Sequence, residues 1–418
     1  MRDKTNKMKV LIIAPIVFPI SNSLKYAGTE RVIASLAEKF SSDPDLGVHS
    51  IVAATGDSDI EDIEIIYIYS QSMWIFENFE RKIIDTREAM EKHYSFCLDY
   101  AIKNKIDLIH DNTGIINSLA YNQRKDEMHI PIIITIHDDV DYETLARYKS
   151  WKRVQLENRP VFFIGISKSQ KEKFEKMTGI KVFDYVHNGI SIEKYPFVER
   201  EGKQDYLFWI GKISNKKGTD LAIKVAKAVK RPLIIAGEVH SIDREYYEKE
   251  IKSNITRLIG GKNDREREEN KKELINRLSK NEKIINDEDV LFIGPVNDFE
   301  KGILNSHAYS LLMLNRWEEP FGLVMPEAMV TGTPVIGTKR GSIPEIVLEN
   351  VTGFTIPIEW IDEENLLLKE EVLIEDAKKA LEKIPKIKPL DCHNHVKENF
   401  NADKMAEDYI RIYKKILK

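Results

Sequence analysis

The chain has 418 residues, enough for two ordinary domains, because single cores stop growing near ~250–300 residues. Its 63 Lys+Arg against 68 Asp+Glu leave a formal net charge of −5, which excludes the basic excess of a dedicated nucleic-acid binder. With 42% hydrophobic residues it can fill sizeable cores, and its two cysteines, Cys97 and Cys392, exclude a disulfide scaffold and a cysteine-based zinc site.

The basic stretch Met1–Lys9 followed by apolar Val10–Ile20 imitates a secretion signal. Pro15 and Pro19 interrupt the apolar run, and no small-residue cleavage site follows. No stretch reaches the roughly 20 apolar residues of a membrane span, so a cytoplasmic protein is expected. Val10–Ala14 reads as a strand buried on both faces, followed by a loop (Pro15–Ala27) and an amphipathic helix over Glu30–Phe40. Strands are expected at Ser50–Ala54, Ile63–Ile68, Leu108–His110, Ile132–His137 and Val161–Ile166. Helices are expected at Arg87–Asn104 and Gly114–Arg124. The charged segment Val198–Gln204 reads as a linker, after which the alternation restarts. Its strands are Tyr206–Ile210, Leu233–Ala236, Val290–Ile293, Ser310–Leu314 and Pro334–Gly337; its helices are Thr219–Val229, Phe299–Ser306 and Leu323–Thr331. Asp243–Asp289, dense in charge of both signs, reads as a solvated helical insertion. Asn401 is a candidate N-cap for a closing helix in which Met405, Tyr409, Tyr413 and Ile416 form one stripe. The expected architecture is α/β, with one Rossmann-like domain over 1–200, a second over 205–395 carrying the insertion 243–289, and a helix over 396–418. In such sheets ligands sit beyond the carboxyl ends of the strands, so a cleft between two facing domains is the expected site.

Three segments could carry chemistry. Glu318–Met329 follows a strand and opens a helix, whose first amides and dipole favour an anion such as a diphosphate. Gly322 would admit a ligand close to the backbone, while the Glu319 and Glu327 carboxylates suit sugar and ribose hydroxyls better than phosphate. Gly211–Thr219 also joins a strand to a helix and carries Lys212, Lys216 and Lys217, cations that could neutralise a leaving diphosphate. Neither a Walker A sequence nor G-x-G-x-x-G occurs. Gly28 stands at a helix start, and His110 and His137 end apolar strands; either histidine could hydrogen-bond a substrate or serve as a structural donor. His137, Asp138 and Asp139 alternate in direction along an extended strand, so no metal site is expected.

Together these segments resemble the GT-B glycosyltransferases, specifically the retaining family 4 of nucleotide-sugar enzymes. Glu319 and Glu327 match that family's E-x7-E pattern, continued by Thr331–Gly337, Gly341–Val347 and Thr352–Phe354. Gly211–Gly218 is similar to its G-R-x-x-x-x-K-G clamp, with Lys212 where most members have arginine. Gly28, Ile166–Ser169 and His187–Ile190 match further landmarks in order. The resemblance implies that Lys212 and Lys217 hold the donor diphosphate together with Gly211 and Gly28. It places Glu319 and the amides of Phe321, Gly322 and Leu323 on the donor sugar and phosphate. Glu327 falls on the ribose and His137 on the sugar near its anomeric carbon. It implies a GT-B fold, with two Rossmann-like domains facing across a cleft and a C-terminal helix crossing back to the first domain. The expected activity is retaining, metal-independent transfer of a hexosyl group from a UDP- or GDP-sugar, with no cofactor beyond that donor. The acceptor would be a carbohydrate, a lipid-linked molecule or a small molecule, with peripheral contact at the inner membrane face left open. Its contacts are expected around Pro15–Lys25 and Gln71–Glu80, where Trp74, Phe76 and Phe79 could line a pocket or pack in a core. A non-catalytic nucleotide-sugar-binding protein and another GT-B enzyme such as an epimerase are the alternatives.

Overall fold

The computed structural model describes residues 7–21, 28–77, 80–83, 87–113, 118–140, 145, 148, 151–152, 154–260, 263–286 and 288–418. The chain divides into two units, Met1–Ile190 with Asn401–Lys418, and Ser191–Phe400. Parts of the expected acceptor loops (22–25 and 78–79), the residues just before Gly28, and Gly114 of an expected helix lie outside the described residues.

The first unit is built on β1 (Met8–Ile13), β2 (Val48–Ala53) and β3 (Glu64–Ile66), then a hairpin of β4 (Trp74–Glu77) and β5 (Glu80–Ile83). β6 (Leu108–Asp111), β7 (Ile132–Thr135), β8 (Val161–Gly165) and β9 (Val182–Tyr185) follow. Its seven-stranded sheet has the order β3-β2-β1-β6-β7-β8-β9, with every pairing parallel. β1 lies between two strands, and Val10, Leu11, Ile12 and Ile13 are all fully buried, which is why this segment is apolar without alternation. The order reverses between β1 and β6, the doubly wound pattern with its crevice at that switch.

The C-terminal helix Ala402–Ile416 belongs to this unit, as expected, and Asn401 caps it by accepting the Lys404 N–H at 2.6 Å. Met405, Tyr409 and Tyr413 of the expected stripe are buried. The Tyr413 hydroxyl lies 2.7 Å from His110 Nδ1, and Thr135 Oγ1 lies 2.8 Å from His110 Nε2 and 3.1 Å from the Tyr409 hydroxyl.

The second unit repeats the plan with β10 (Leu207–Ile210), β11 (Leu233–Ala236), β12 (Arg257–Leu258), β13 (Val290–Gly294), β14 (Ser310–Met313), β15 (Val335–Thr338) and β16 (Gly353–Ile356). A hairpin of β17 (Trp360–Asp362) and β18 (Leu367–Leu368) follows. The sheet order is β12-β13-β11-β10-β14-β15-β16, and it reverses at β10, which pairs with β11 on one side and β14 on the other.

Two sequence expectations change. The segment Val198–Gln204 is packed on the second unit rather than spanning between units. The Lys203 ammonium donates to the Ser306 carbonyl at 2.9 Å and to Thr333 Oγ1 at 2.8 Å, so it satisfies an orphan carbonyl at the end of the helix Asp298–His307. The change of unit falls between Ile190 and Ser191 instead. The insertion 243–289 is not wholly solvated. It adds β12 to the sheet edge, and its helix Asp264–Ser279 buries Leu274, Ile275 and Leu278. Lys271 in the same helix is buried too, and donates to the Pro295 carbonyl at 2.8 Å and to Glu268 at 2.9 Å.

Candidate functional site

Two loops leave the second sheet at its reversal point, one after β10 and one after β14, so they rise side by side from adjacent strands. They are joined by main chain and by charge. The Arg316 N–H donates to the Lys216 carbonyl at 2.9 Å, and the Arg316 guanidinium grips both oxygens of Asp220 at 2.7 and 2.6 Å. Asp220 also accepts from the Tyr246 hydroxyl at 2.6 Å. Burial alone would raise the Asp220 pKa, but Arg316 and Tyr246 outweigh it and hold the carboxyl below its usual range. Gly218 closes the first loop with φ +66°, and a Cβ there would fall 2.0 Å from the Leu314 carbonyl oxygen, so no larger residue fits between the loops.

That clamp sets Lys217 beside Glu319. The ammonium lies 2.7 Å from Glu319 Oε2, which also accepts from Asn315 Nδ2 at 2.6 Å and from the Trp317 indole N–H at 3.1 Å. The same ammonium sits 4.5 Å from the Trp317 ring centroid. The cation expected on a diphosphate and the carboxylate expected on a sugar are therefore held together as one polar cluster. Glu319 is 6% exposed. Behind it, the Ser342 N–H donates to the Glu319 carbonyl at 2.9 Å and Ser342 Oγ to the Phe321 carbonyl at 2.8 Å, which explains the role of Gly341–Ser342.

Gly322 turns the chain into the helix Val324–Val330 with φ +79°, and its carbonyl accepts the Met325 N–H at 3.0 Å. The amides of Gly322 and Leu323 thus lie at the helix opening, with Phe321 just before them. Glu327, one turn in, is fully buried; its Oε1 accepts from Lys301 Nζ at 2.6 Å and from the Tyr195 hydroxyl at 3.0 Å.

Lys212 takes a different partner, Asp243, at 2.8 Å on the loop beyond β11. Gly211 starts the lysine loop, its N–H donating to the Ala236 carbonyl at 3.1 Å. In the first unit, Gly28 is exposed and begins the helix Gly28–Ser42. His137 follows β7 and lies 2.9 Å from Asn112 Oδ1, and burial depresses its pKa to about 4, so the ring is neutral at pH 7. His110 is fully buried with both nitrogens engaged, a structural residue rather than a substrate contact. Asp139 pairs with Lys173 at 2.7 Å.

Sequence reasoning did not single out Asn315, Trp317, Asp220, Tyr195, Lys301 or Asn112. Only Lys301 left a signal: it shares the i, i+3 stripe of Leu304 on the helix Asp298–His307, and a lysine on an apolar stripe requires a buried counter-charge. Among the described residues no helix is long and apolar enough to cross a membrane, and no group of three or more His, Cys, Asp or Glu residues could hold a metal ion.

Two family models divide the chain between them: glycosyltransferase family 4 matches residues 26–194, and glycosyl transferases group 1 matches residues 191–386. The N-acetyl-alpha-D-glucosaminyl L-malate synthase of Bacillus anthracis is 32% identical over 133 residues, which is 31% of this chain and 31% of that protein. The match spans about a third of the length of the first curated relatives, 31% and 34%. Among solved structures, AviGT4, a glycosyltransferase involved in avilamycin A biosynthesis, superposes with a TM-score of 0.62 at 18% identity, covering 98% of each chain. Anabaena Alr3699/HepE, solved in complex with UDP and glucose, superposes with a TM-score of 0.60 at 18% identity, covering 97% of this chain and 99% of its own.

Proposed function

The chain belongs to the family 4-like glycosyltransferases of GT-B fold, and from that premise we propose that it moves a hexosyl group from a UDP- or GDP-sugar to an acceptor hydroxyl, with retention and without a metal. The observation that carries the reading is the Lys217–Glu319 cluster at 2.7 Å, held at the reversal point of the second sheet by two clamped loops. A cation and a hydroxyl-binding carboxylate at one sheet crevice suit a ligand that is a diphosphate at one end and a sugar at the other. The UDP and glucose bound by HepE support the same ligand class.

In this reading Lys217 and Lys212 take the charge that develops on the leaving diphosphate, assisted by the amides of Phe321, Gly322 and Leu323 at the helix opening. Gly211 and Gly28 let backbone approach the phosphates. Glu319 orients the sugar, Glu327 binds ribose, and His137 hydrogen-bonds the sugar. The bond from the anomeric carbon to the diphosphate oxygen breaks, the acceptor hydroxyl attacks from the same face, and its proton passes to the departing phosphate oxygen. Ammonium groups supply the counter-charge, so no divalent ion is required.

The test is a thermal-shift screen over nucleotide sugars, followed by transfer assays in EDTA. Lys217→Ala is expected to lower kcat by about 100–1,000-fold, the loss typical of one preorganised charge-stabilising group, in a protein that still folds because Glu319 keeps its bonds from Asn315 and Trp317. Parental turnover in Lys217→Ala, or strict dependence on an added metal, would contradict the assignment.

A further inference from the structure

His137 and Asn112 follow β7 and β6, neighbouring strands in the first sheet. The Asn112 backbone is fixed by its N–H bond to the Ile13 carbonyl at 2.9 Å, and the residue is 3% exposed. Its amide has two unlike ends with separate partners. Nδ2 faces the His110 carbonyl at 3.3 Å, an atom that can only accept, and Oδ1 faces His137 Nε2 at 2.9 Å. An amide whose nitrogen is committed to a carbonyl must turn its oxygen to the ring, and an oxygen can only receive. His137 Nε2 therefore carries the ring hydrogen. Burial keeps this imidazole neutral at pH 7, so it has one N–H, and its Nδ1 is a lone pair. His137 is half-buried, unlike His110, so a ligand can reach the ring.

We propose that Asn112 is a positioning residue that locks His137 in its Nε2–H tautomer, so that Nδ1 accepts a hydrogen bond from a hydroxyl of the substrate sugar. The inference rests on the glycosyl-transfer reading and adds a direction to the contact: the ring receives, and the sugar donates. A site built around such an acceptor discriminates against a sugar that lacks the donating hydroxyl, because its lone pair is then left without a partner.

The experiment uses the full chain labelled with 15N-histidine, with long-range 15N–1H correlation at pH 8, and His137→Gln to assign the ring. The parent should show His137 with a protonated Nε2 and a bare Nδ1. Asn112→Leu should give mixed tautomers and a kcat/KM for the nucleotide sugar about 10-fold lower, with unchanged affinity for the nucleoside diphosphate alone. Asn112→Asp, of the same shape and still an acceptor, should keep the tautomer and restore transfer. A parental ring protonated at Nδ1, or an Asn112→Leu protein with parental tautomer and rate, would overturn the proposal. If Asn112→Leu does not fold, the parental spectrum and the Asn112→Asp protein still decide. If the parent transfers sugar from no nucleotide sugar, the underlying reading fails and the hydroxyl contact with it, an outcome separate from the tautomer seen in the spectrum.

Discussion

A carboxylate as deeply buried as that of Glu327 keeps its charge only beside a cation, and Lys301 supplies one at 2.6 Å. Removing one member of such a pair strands the other. Lys301→Met is therefore expected to lower unfolding free energy by about 3–5 kcal/mol in urea titrations. The double variant Lys301→Met/Glu327→Gln, with both charges gone, should recover most of that loss. If the single variant is as stable as the parent, the pair contributes little. The contrast with what the sequence displays is instructive. Glu319 and Glu327 stand out because eight residues and one helix start relate them, a local pattern. Asn315 and Trp317 are sequence neighbours of Glu319, but other partners come from far along the chain: Lys217 is 102 residues from Glu319, and Tyr195 is 132 residues from Glu327. No periodicity connects residues that meet only after a sheet has been assembled.

Strands and helices show the same division. β1, β10, β11 and β14 are short apolar runs whose burial on both faces writes them into the sequence. β12, two exposed residues at a sheet edge, carries no such mark, and its sequence reads as part of a solvated insertion. The C-terminal helix was legible from its stripe, yet the reason two of its buried positions are tyrosine rather than leucine lies in hydrogen bonds to His110 and Thr135. Tyr413→Phe removes the hydroxyl beside His110 Nδ1 and leaves a buried polar nitrogen unsatisfied, at a cost of about 1–3 kcal/mol. Hydrogen exchange should report this loss in β6 and β7 and leave β10 and β14 as protected as in the parent. Uniform loss of protection in both sheets would show that the helix does not act locally.

At the scale of a whole unit, the response of the first unit to acid follows from its buried groups. Burial lowers the pKa of His93 and His137 to about 4, and burial with the neighbouring His137 lowers that of His110 to about 3. Each binds its proton more readily when unfolded, so between pH 6.5 and 4 acidification favours the unfolded chain. Asp111 opposes this, because burial outweighs its Thr113 hydrogen bonds and raises it to about 7, so its folded form holds a proton that the unfolded form lacks. Three histidines against one aspartate leave a net uptake on unfolding. Each net proton is worth about 1.4 kcal/mol per pH unit. Stability of the first unit should therefore fall by about 1–3 kcal/mol per pH unit from pH 6 to pH 4.5, measured by denaturant titration with hydrogen exchange to localise the change. A flat or rising profile would mean that these histidines take up protons while folded.

The first unit is discontinuous, made of residues up to Ile190 together with Asn401–Lys418, whereas Ser191–Phe400 is a single uninterrupted stretch. During synthesis on the ribosome the second unit has its full set of residues before the first does. The nascent first sheet waits, with His110 and Thr135 lacking their tyrosine partners, through more than 200 further residues. For this chain the part translated earliest is the part completed later, so a translational stall between Ser191 and Phe400 leaves that earlier sheet open to chaperones and proteases.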